Sequence, residues 1–304
     1  MAMLRIFLFG AVRIEHHGRA QAERATRGVQ TLLAYLLLHR QRRHVRDVLA
    51  GLFWGDQSDD SARRCLNTAL WRLRRILEPD GVARGTYLVN TARGEVGFNP
   101  NSDCWLDVAV LEEHAERLLG LPREQIRDAD IGSLEAALAL YTGELLEGVY
   151  DDWALRERER VRSLYLRVLV RLMQHHRAAD AFEQSISYGE RILACDPMRE
   201  DVHRELMRLF LLCGQRTLAL RQYERCREVL AMELDVEPME ETQAVHAGIL
   251  RGTPAAVHSS PERPSLRAFT ETLRDTLQHL DQTRAQLNEL LRLATGSVDP
   301  ERHS

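Results

Sequence analysis

Residues 61–77, SARRCLNTALWRLRRIL, gather five arginines, an asparagine, a threonine and a tryptophan into one short stretch. At about 3.6 residues per turn, Ala62, Leu66, Ala69, Leu70, Leu73, Ile76 and Leu77 fall on one side of a helix. Arg64, Thr68, Trp71 and Arg75 fall opposite, with Asn67 and Arg72 on the two borders. A guanidinium can fork onto a guanine edge or a phosphate, an asparagine can pair with adenine, and a threonine methyl can touch thymine. The same pattern also describes a solvated basic face that recognises nothing. Arg74 lies nearer the apolar side and is left out of the candidate set.

Other chemistries find little support. All 41 basic residues are arginine, so no P-loop, Schiff-base or kinase-type lysine exists. HExxH, GxSxG and GxGxxG are absent, and no enzyme activity or cofactor is expected. The pairs His16-His17 and His175-His176 place their rings on diverging directions, which suits surface or local polar roles better than metal binding. Five scattered cysteines without a CxxC pair read as reduced thiols. No run of about 18 apolar residues occurs and the start lacks the pattern of a signal peptide, so a cytoplasmic location is expected.

Charge is unevenly distributed. Residues 1–101 hold 16 Arg against 9 carboxylates, while residues 102–304 hold 25 against 36. The basic front suits a polyanion, and the acidic back suits a different partner.

The elements that must position the arginines follow from periodicity. Residues 4–15 alternate around Gly10 and predict two short strands, with a third at 20–23. Val29, Leu32, Leu33, Leu36 and Leu37 predict a helix from Arg27, and a second covers about 46–53 before Trp54-Gly55-Asp56. Asp60 or Ser61 is the expected N-cap of the arginine helix. After Pro79-Asp80-Gly81, the segments 87–89 and 95–98 flank Thr91-Ala92-Arg93-Gly94, predicting a β-hairpin with an arginine at its tip. Three helices followed by such a hairpin make a winged helix-turn-helix. Thr91 and Arg93 become wing candidates, and Trp71 either packs on sugar edges or covers part of the wing.

Residues 99–105 read as a polar connector. Helices are expected over about 106–119, 133–145, 153–176, 178–193, 199–213, 216–233 and 239–250. Residues 176–197 and 215–238 resemble one another, their closing prolines 41 residues apart. That exceeds the tetratricopeptide period of about 34, leaving a helical solenoid and an irregular bundle both open. Residues 252–264 are Gly/Pro/Ser-rich and linker-like. Over 265–294 an apolar seam at near-heptad spacing can self-associate as a coiled coil, dock on the helical domain, or take a separate partner.

Two resemblances sharpen this picture. Residues 4–98, with the WGD and LWRLRRIL, look like the OmpR-type winged-helix domain, whose third helix enters the major groove. GQRTLALRQYERCREVLAMELDVEP resembles the signature of the bacterial transcriptional activator domain, a tetratricopeptide-like module. Together they are similar to the SARP (Streptomyces antibiotic regulatory protein) family. Over about residues 4–252 the resemblance implies a mainly α protein, with a winged helix at 1–101 and an activator domain at 102–252; the linker 253–264 and the C-terminal amphipathic helix and tail 265–304 lie beyond it. It implies an activator that binds promoter direct repeats as a homo-oligomer and helps recruit RNA polymerase through its sigma and alpha subunits. By position it carries Arg64, Asn67, Thr68, Trp71, Arg72, Arg75, Thr91 and Arg93 over as DNA contacts. Larger members append an ATPase region, for which this chain has no lysine. The alternative is a tetratricopeptide-type adaptor or ligand-sensing regulator with weak DNA binding.

Overall fold

The computed structural model describes residues 4–20, 26–122 and 125–252. The linker and amphipathic helix expected over 253–304 lie outside the described residues. Within them the chain is mainly helical, with two small sheets confined to residues 4–106.

Strands β1 (Leu4–Phe7) and β2 (Arg13–His16) pair antiparallel around Gly10, as the alternation predicts, and β3 (Arg19–Ala20) extends the sheet beyond β2. Gly10 adopts φ +75°, a conformation L side chains rarely take. Helices α1 (Arg27–Leu38), α2 (Arg46–Trp54) and α3 (Asp59–Leu77) follow. A second sheet combines β4 (His44–Val45) with the hairpin β5 (Leu88–Asn90) and β6 (Glu95–Phe98), in the order β4-β6-β5. This is a winged helix-turn-helix preceded by a sheet.

Helix α3 begins earlier than expected. Its N-cap is Ser58, whose carbonyl accepts from the Ala62 N–H at 2.9 Å, so Asp59 and Asp60 are already helical. Neither Asp60 nor Ser61 caps it. The carboxylates instead sit in the first turn, where the helix dipole favours them, and Arg74 and Arg75 occupy the last.

The segment 99–105 is not simply a connector. Cys104–Leu106 forms β7, which lies parallel to β1 and completes the first sheet as β3-β2-β1-β7. Immediately after it, the buried carboxylate of Asp107 accepts from the backbone N–H groups of Leu8 (2.8 Å), Phe9 (3.0 Å) and Val108 (2.7 Å). The helical region is thus sewn onto the N-terminal sheet through backbone groups that need partners once buried.

Helices α4 (Asp107–Gly120), α5 (Asp128–Leu138), α6 (Asp152–Ala178), α7 (Phe182–Cys195), α8 (Glu200–Leu212), α9 (Arg216–Leu234) and α10 (Glu240–Arg251) make up the rest. Helix α6 packs on α7, α7 on α8 and α8 on α9, with α10 against both α8 and α9. This is the layered order of a helical solenoid. A small residue lies at one crossing: a Cβ added at Gly189 of α7 would meet a Leu206 methyl of α8 at 2.7 Å.

Helix α5 departs from the expected 133–145. It starts at Asp128, where the Asp130 carboxylate accepts from the Arg127 N–H and guanidinium, and ends at Leu138. Residues 144–147 leave the helix because the β1–β2 turn takes their backbone. Gly10 N–H donates to Glu144 O (2.8 Å), Leu146 N–H to Leu8 O (2.9 Å), and Glu147 N–H to Gly10 O (3.0 Å). Tertiary hydrogen bonds here override helical periodicity. One continuous apolar core runs from Leu4 to Ile249, and Trp153 of α6 packs edge-on to Tyr35 of α1 at 5.1 Å.

The histidine pairs are not surface features throughout. His16 is buried beside Tyr87, and His176 stacks on Tyr188 at 5.3 Å. Their strand and helix positions turn one ring of each pair inward.

Candidate nucleic-acid interface

The buried residues of α3 are Ala62, Leu66, Ala69, Leu70, Leu73, Ile76 and Leu77, the stripe read from the sequence. Packing them against α1 and α2 leaves Arg64, Asn67, Thr68, Trp71, Arg72 and Arg75 exposed on the far side. Arg74 is half-buried, and desolvation pushes its pKa down.

The exposed side chains are not equivalent. The Thr68 hydroxyl donates to the Arg64 carbonyl at 3.0 Å, which uses its proton within the helix. Asn67 accepts from the guanidinium of Arg46, at the start of α2, so its amide oxygen is already engaged. Arg63 is paired with Asp47 at 2.8 Å and its charge is locally balanced. Trp71 is 56% exposed, and the Arg75 guanidinium lies over its ring at 5.0 Å. More than half of the Trp71 surface is thus accessible to a partner.

At the wing, Thr91 N–H donates to Glu95 O at 2.9 Å and Gly94 N–H to Thr91 O at 3.1 Å. The Thr91 hydroxyl donates to the Glu95 carboxylate (3.1 Å) and accepts from the Glu95 N–H (3.2 Å). Thr91 therefore closes the turn, while Arg93 is exposed at its tip.

Two residues that sequence reasoning missed tie the hairpin to the helices before it. Glu78, which ends α3, accepts from the N–H groups of Gly85 (3.1 Å), Tyr87 (2.9 Å) and Leu88 (3.0 Å) through one carboxylate oxygen. Arg43 donates to the Phe98 carbonyl at 3.0 Å from the other side. No local pattern marks either, because their partners lie in other elements. Arg46 was missed too, although its place at a helix start beside α3 was a usable signal.

A concavity of about 330 Å³ opens beside this face, between Thr26, Gly28 and Val29 of the α1 start and Arg64, Cys65, Thr68 and Arg72 of α3. Among the described residues no group of three or more His, Cys, Asp or Glu side chains is placed to hold a metal ion. None of the described helices is long and apolar enough to cross a membrane.

Comparison with known proteins matches residues 106–250 to the bacterial transcriptional activator domain. The regulatory protein AfsR of Streptomyces coelicolor is 29% identical over 276 residues, which are 89% of this chain and 26% of AfsR. The chain is SARP-like. It spans about a quarter of the length of that AfsR and 22% of the Streptomyces griseus protein of the same name. A second SARP-like relative, the transcriptional regulatory protein MoaR1 of Mycobacterium tuberculosis, is 28% identical over 237 residues, 74% of this chain and 72% of MoaR1. The solved structure of Mycobacterium tuberculosis EmbR in complex with a low-affinity phosphopeptide superposes with a TM-score of 0.63 at 20% identity. The alignment covers 92% of this SARP-like chain and 71% of EmbR, which establishes a shared fold.

Proposed function

We propose that the protein is a promoter-specific transcriptional activator. Its winged helix (1–101) lays α3 in the major groove with Arg93 of the wing alongside, and its helical domain (102–252) contacts a neighbouring protomer and RNA polymerase. The observation that carries this reading is the separation of faces on α3. Seven apolar side chains are buried, and the opposite surface presents Arg64, Trp71, Arg72 and Arg75 to solvent. A surface-exposed tryptophan under an arginine offers the stacking and charge that a duplex accepts.

The relatives add support, being named regulatory proteins. On this reading the protein works in the cytoplasm, without cofactor, on tandem direct repeats as a homo-oligomer. Self-association through residues 265–294 is part of the proposal.

The test is a salt titration of binding to a direct-repeat promoter fragment found by mobility shift against genomic DNA. Each lost arginine–phosphate contact should lower the slope of log K against log salt by roughly one. Arg64→Ala and Arg75→Ala should each weaken binding by about tenfold or more, in keeping with ~1–3 kcal/mol per good contact. Wild-type binding in both variants would sink the assignment of this face. Weak, sequence-independent retention by the intact protein would favour the adaptor instead.

A further inference from the structure

The concavity beside α3 is lined by two arginines and the start of α1. Its volume of about 330 Å³ holds on the order of ten waters at ~30 Å³ each. Arg64 and Arg72 stand along its α3 wall, about 12 Å apart along the helix axis at ~1.5 Å per residue. Ser61 and Thr68 belong to the same wall, their hydroxyl protons already given to Gln57 (2.8 Å) and to the Arg64 carbonyl (3.0 Å), and among the described residues no carboxylate lines it. Neighbouring Arg63 is neutralised by Asp47, whereas among the described residues neither Arg64 nor Arg72 has a carboxylate partner.

The facing wall is the start of α1. Its N-cap, Thr26, makes no side-chain cap bond and its first turn contains no acid. The Val29 and Gln30 N–H groups already donate to the Thr26 carbonyl at 2.9 and 3.0 Å, so the donors left to this turn are the N–H groups of Arg27 and Gly28, where the dipole adds positive potential. Gly28 places no side chain between that turn and the cavity. One residue earlier, the Arg27 guanidinium donates to the Gly148 carbonyl of the helical domain at 2.5 Å.

We propose that this cavity seats one backbone phosphate of the bound duplex, held between Arg64 and Arg72 of α3 and the first turn of α1. The proposal rests on α3 being the DNA-contacting helix. It assigns Arg64 and Arg72 to phosphate and leaves Trp71 and Arg75 to face the groove. Because Arg27 ties the same turn to Gly148, the seated phosphate also sets how the helical domain stands relative to the duplex. Free inorganic phosphate shares this chemistry and is the competing occupant.

The decisive substitution is Gly28→Glu in the full chain, with Gly28→Gln as its neutral partner. A Cβ at Gly28 meets nothing within 4 Å, and a carboxylate in a first turn suits the dipole, so the variant should melt no lower than the wild type. Its charge would nevertheless stand in the seat. The expected result is DNA affinity at least about tenfold below that of Gly28→Gln, with a salt slope smaller by roughly one. A scan with single neutral methylphosphonates should find one position that weakens the wild type and not Gly28→Glu. Equal binding by Gly28→Glu and Gly28→Gln, with Arg75→Ala impaired, overturns the seat and leaves the DNA reading intact. Wild-type binding by both Arg64→Ala and Arg75→Ala removes the DNA reading and the seat with it. If no methylphosphonate position matters but phosphate displaces DNA beyond chloride of equal ionic strength, the cavity takes a free anion and the duplex assignment is wrong.

Discussion

Arg75 lies with its guanidinium 5.0 Å from the centre of the Trp71 ring, one turn further along α3, and the tryptophan is 56% exposed. The pair forms an amphipathic edge on the face turned away from the core. An exposed cation–π contact of this kind is worth about 0.5–1 kcal/mol, more when desolvated against a partner.

Trp71→Ala should therefore separate binding from folding. We expect the unfolding free energy to stay within about 1 kcal/mol of the wild type, the worth of the exposed cation–π contact. Promoter affinity should fall roughly fivefold or more, since Arg75 loses its support and the ring its contact. Trp71→Phe should recover part of the loss. Fluorescence anisotropy with labelled duplex, run beside urea melts, reads both quantities. Unaltered affinity in Trp71→Ala would remove the tryptophan from the interface.

Asp107 fastens the helical domain to the sheet. Both carboxylate oxygens accept, at 2.7–3.0 Å, from Val108, Leu8 and Phe9. Burial pushes its pKa up, and the three N–H donors pull the other way. Asp107→Asn turns an amide N–H toward at least one of these donors and should cost about 1–3 kcal/mol of unfolding free energy. Asp107→Ala should cost more. Denaturant unfolding of the full chain measures both, and a wild-type midpoint in Asp107→Ala would mean that the clamp contributes nothing.

Acid should destabilise the fold through its buried histidines. His203 is buried, with Nε2 2.9 Å from the Pro197 carbonyl and Nδ1 2.7 Å from the Gln222 amide. A carbonyl only accepts, so Nε2 carries the proton, and Nδ1 accepts from the amide. The neutral ring is satisfied on both sides. Burial holds the His203 pKa below the ordinary 6.5, and burial lowers His16, His39, His44, His175 and His246 as well. Around pH 6.5 and below, the unfolded chain binds protons that the folded chain refuses. Stability is thus fully present above that pH and is lost as pH falls through it. Urea midpoints should drop between about pH 7.5 and 5.5, and His203→Gln should flatten part of that drop. A flat profile in the wild type would contradict this account.

The sequence by itself determined the elements whose signal is local. The period of Ala62 to Leu77 named every buried residue of α3, and its complement named the exposed Arg64, Arg72 and Arg75 but not the exposed Arg63. The Thr91–Gly94 turn and the breaks at Gly10 and Pro79 were legible because turn chemistry is written in neighbouring residues. Tertiary structure alone decided what depends on partners distant in the chain. It drew Cys104–Leu106 out of a supposed connector into β7, because β1 had an edge to be paired. It ended α5 at Leu138, because the backbone of Leu8 and Gly10 bound residues 144–147 more favourably than a further helical turn. It engaged the side chains of Asn67 and Thr91 within the protein and left Arg64 and Arg72 facing a cavity whose other wall is α1. A helix wheel says which side chains face outward. What each one meets there depends on elements many residues away, and that is settled only when the chain closes on itself.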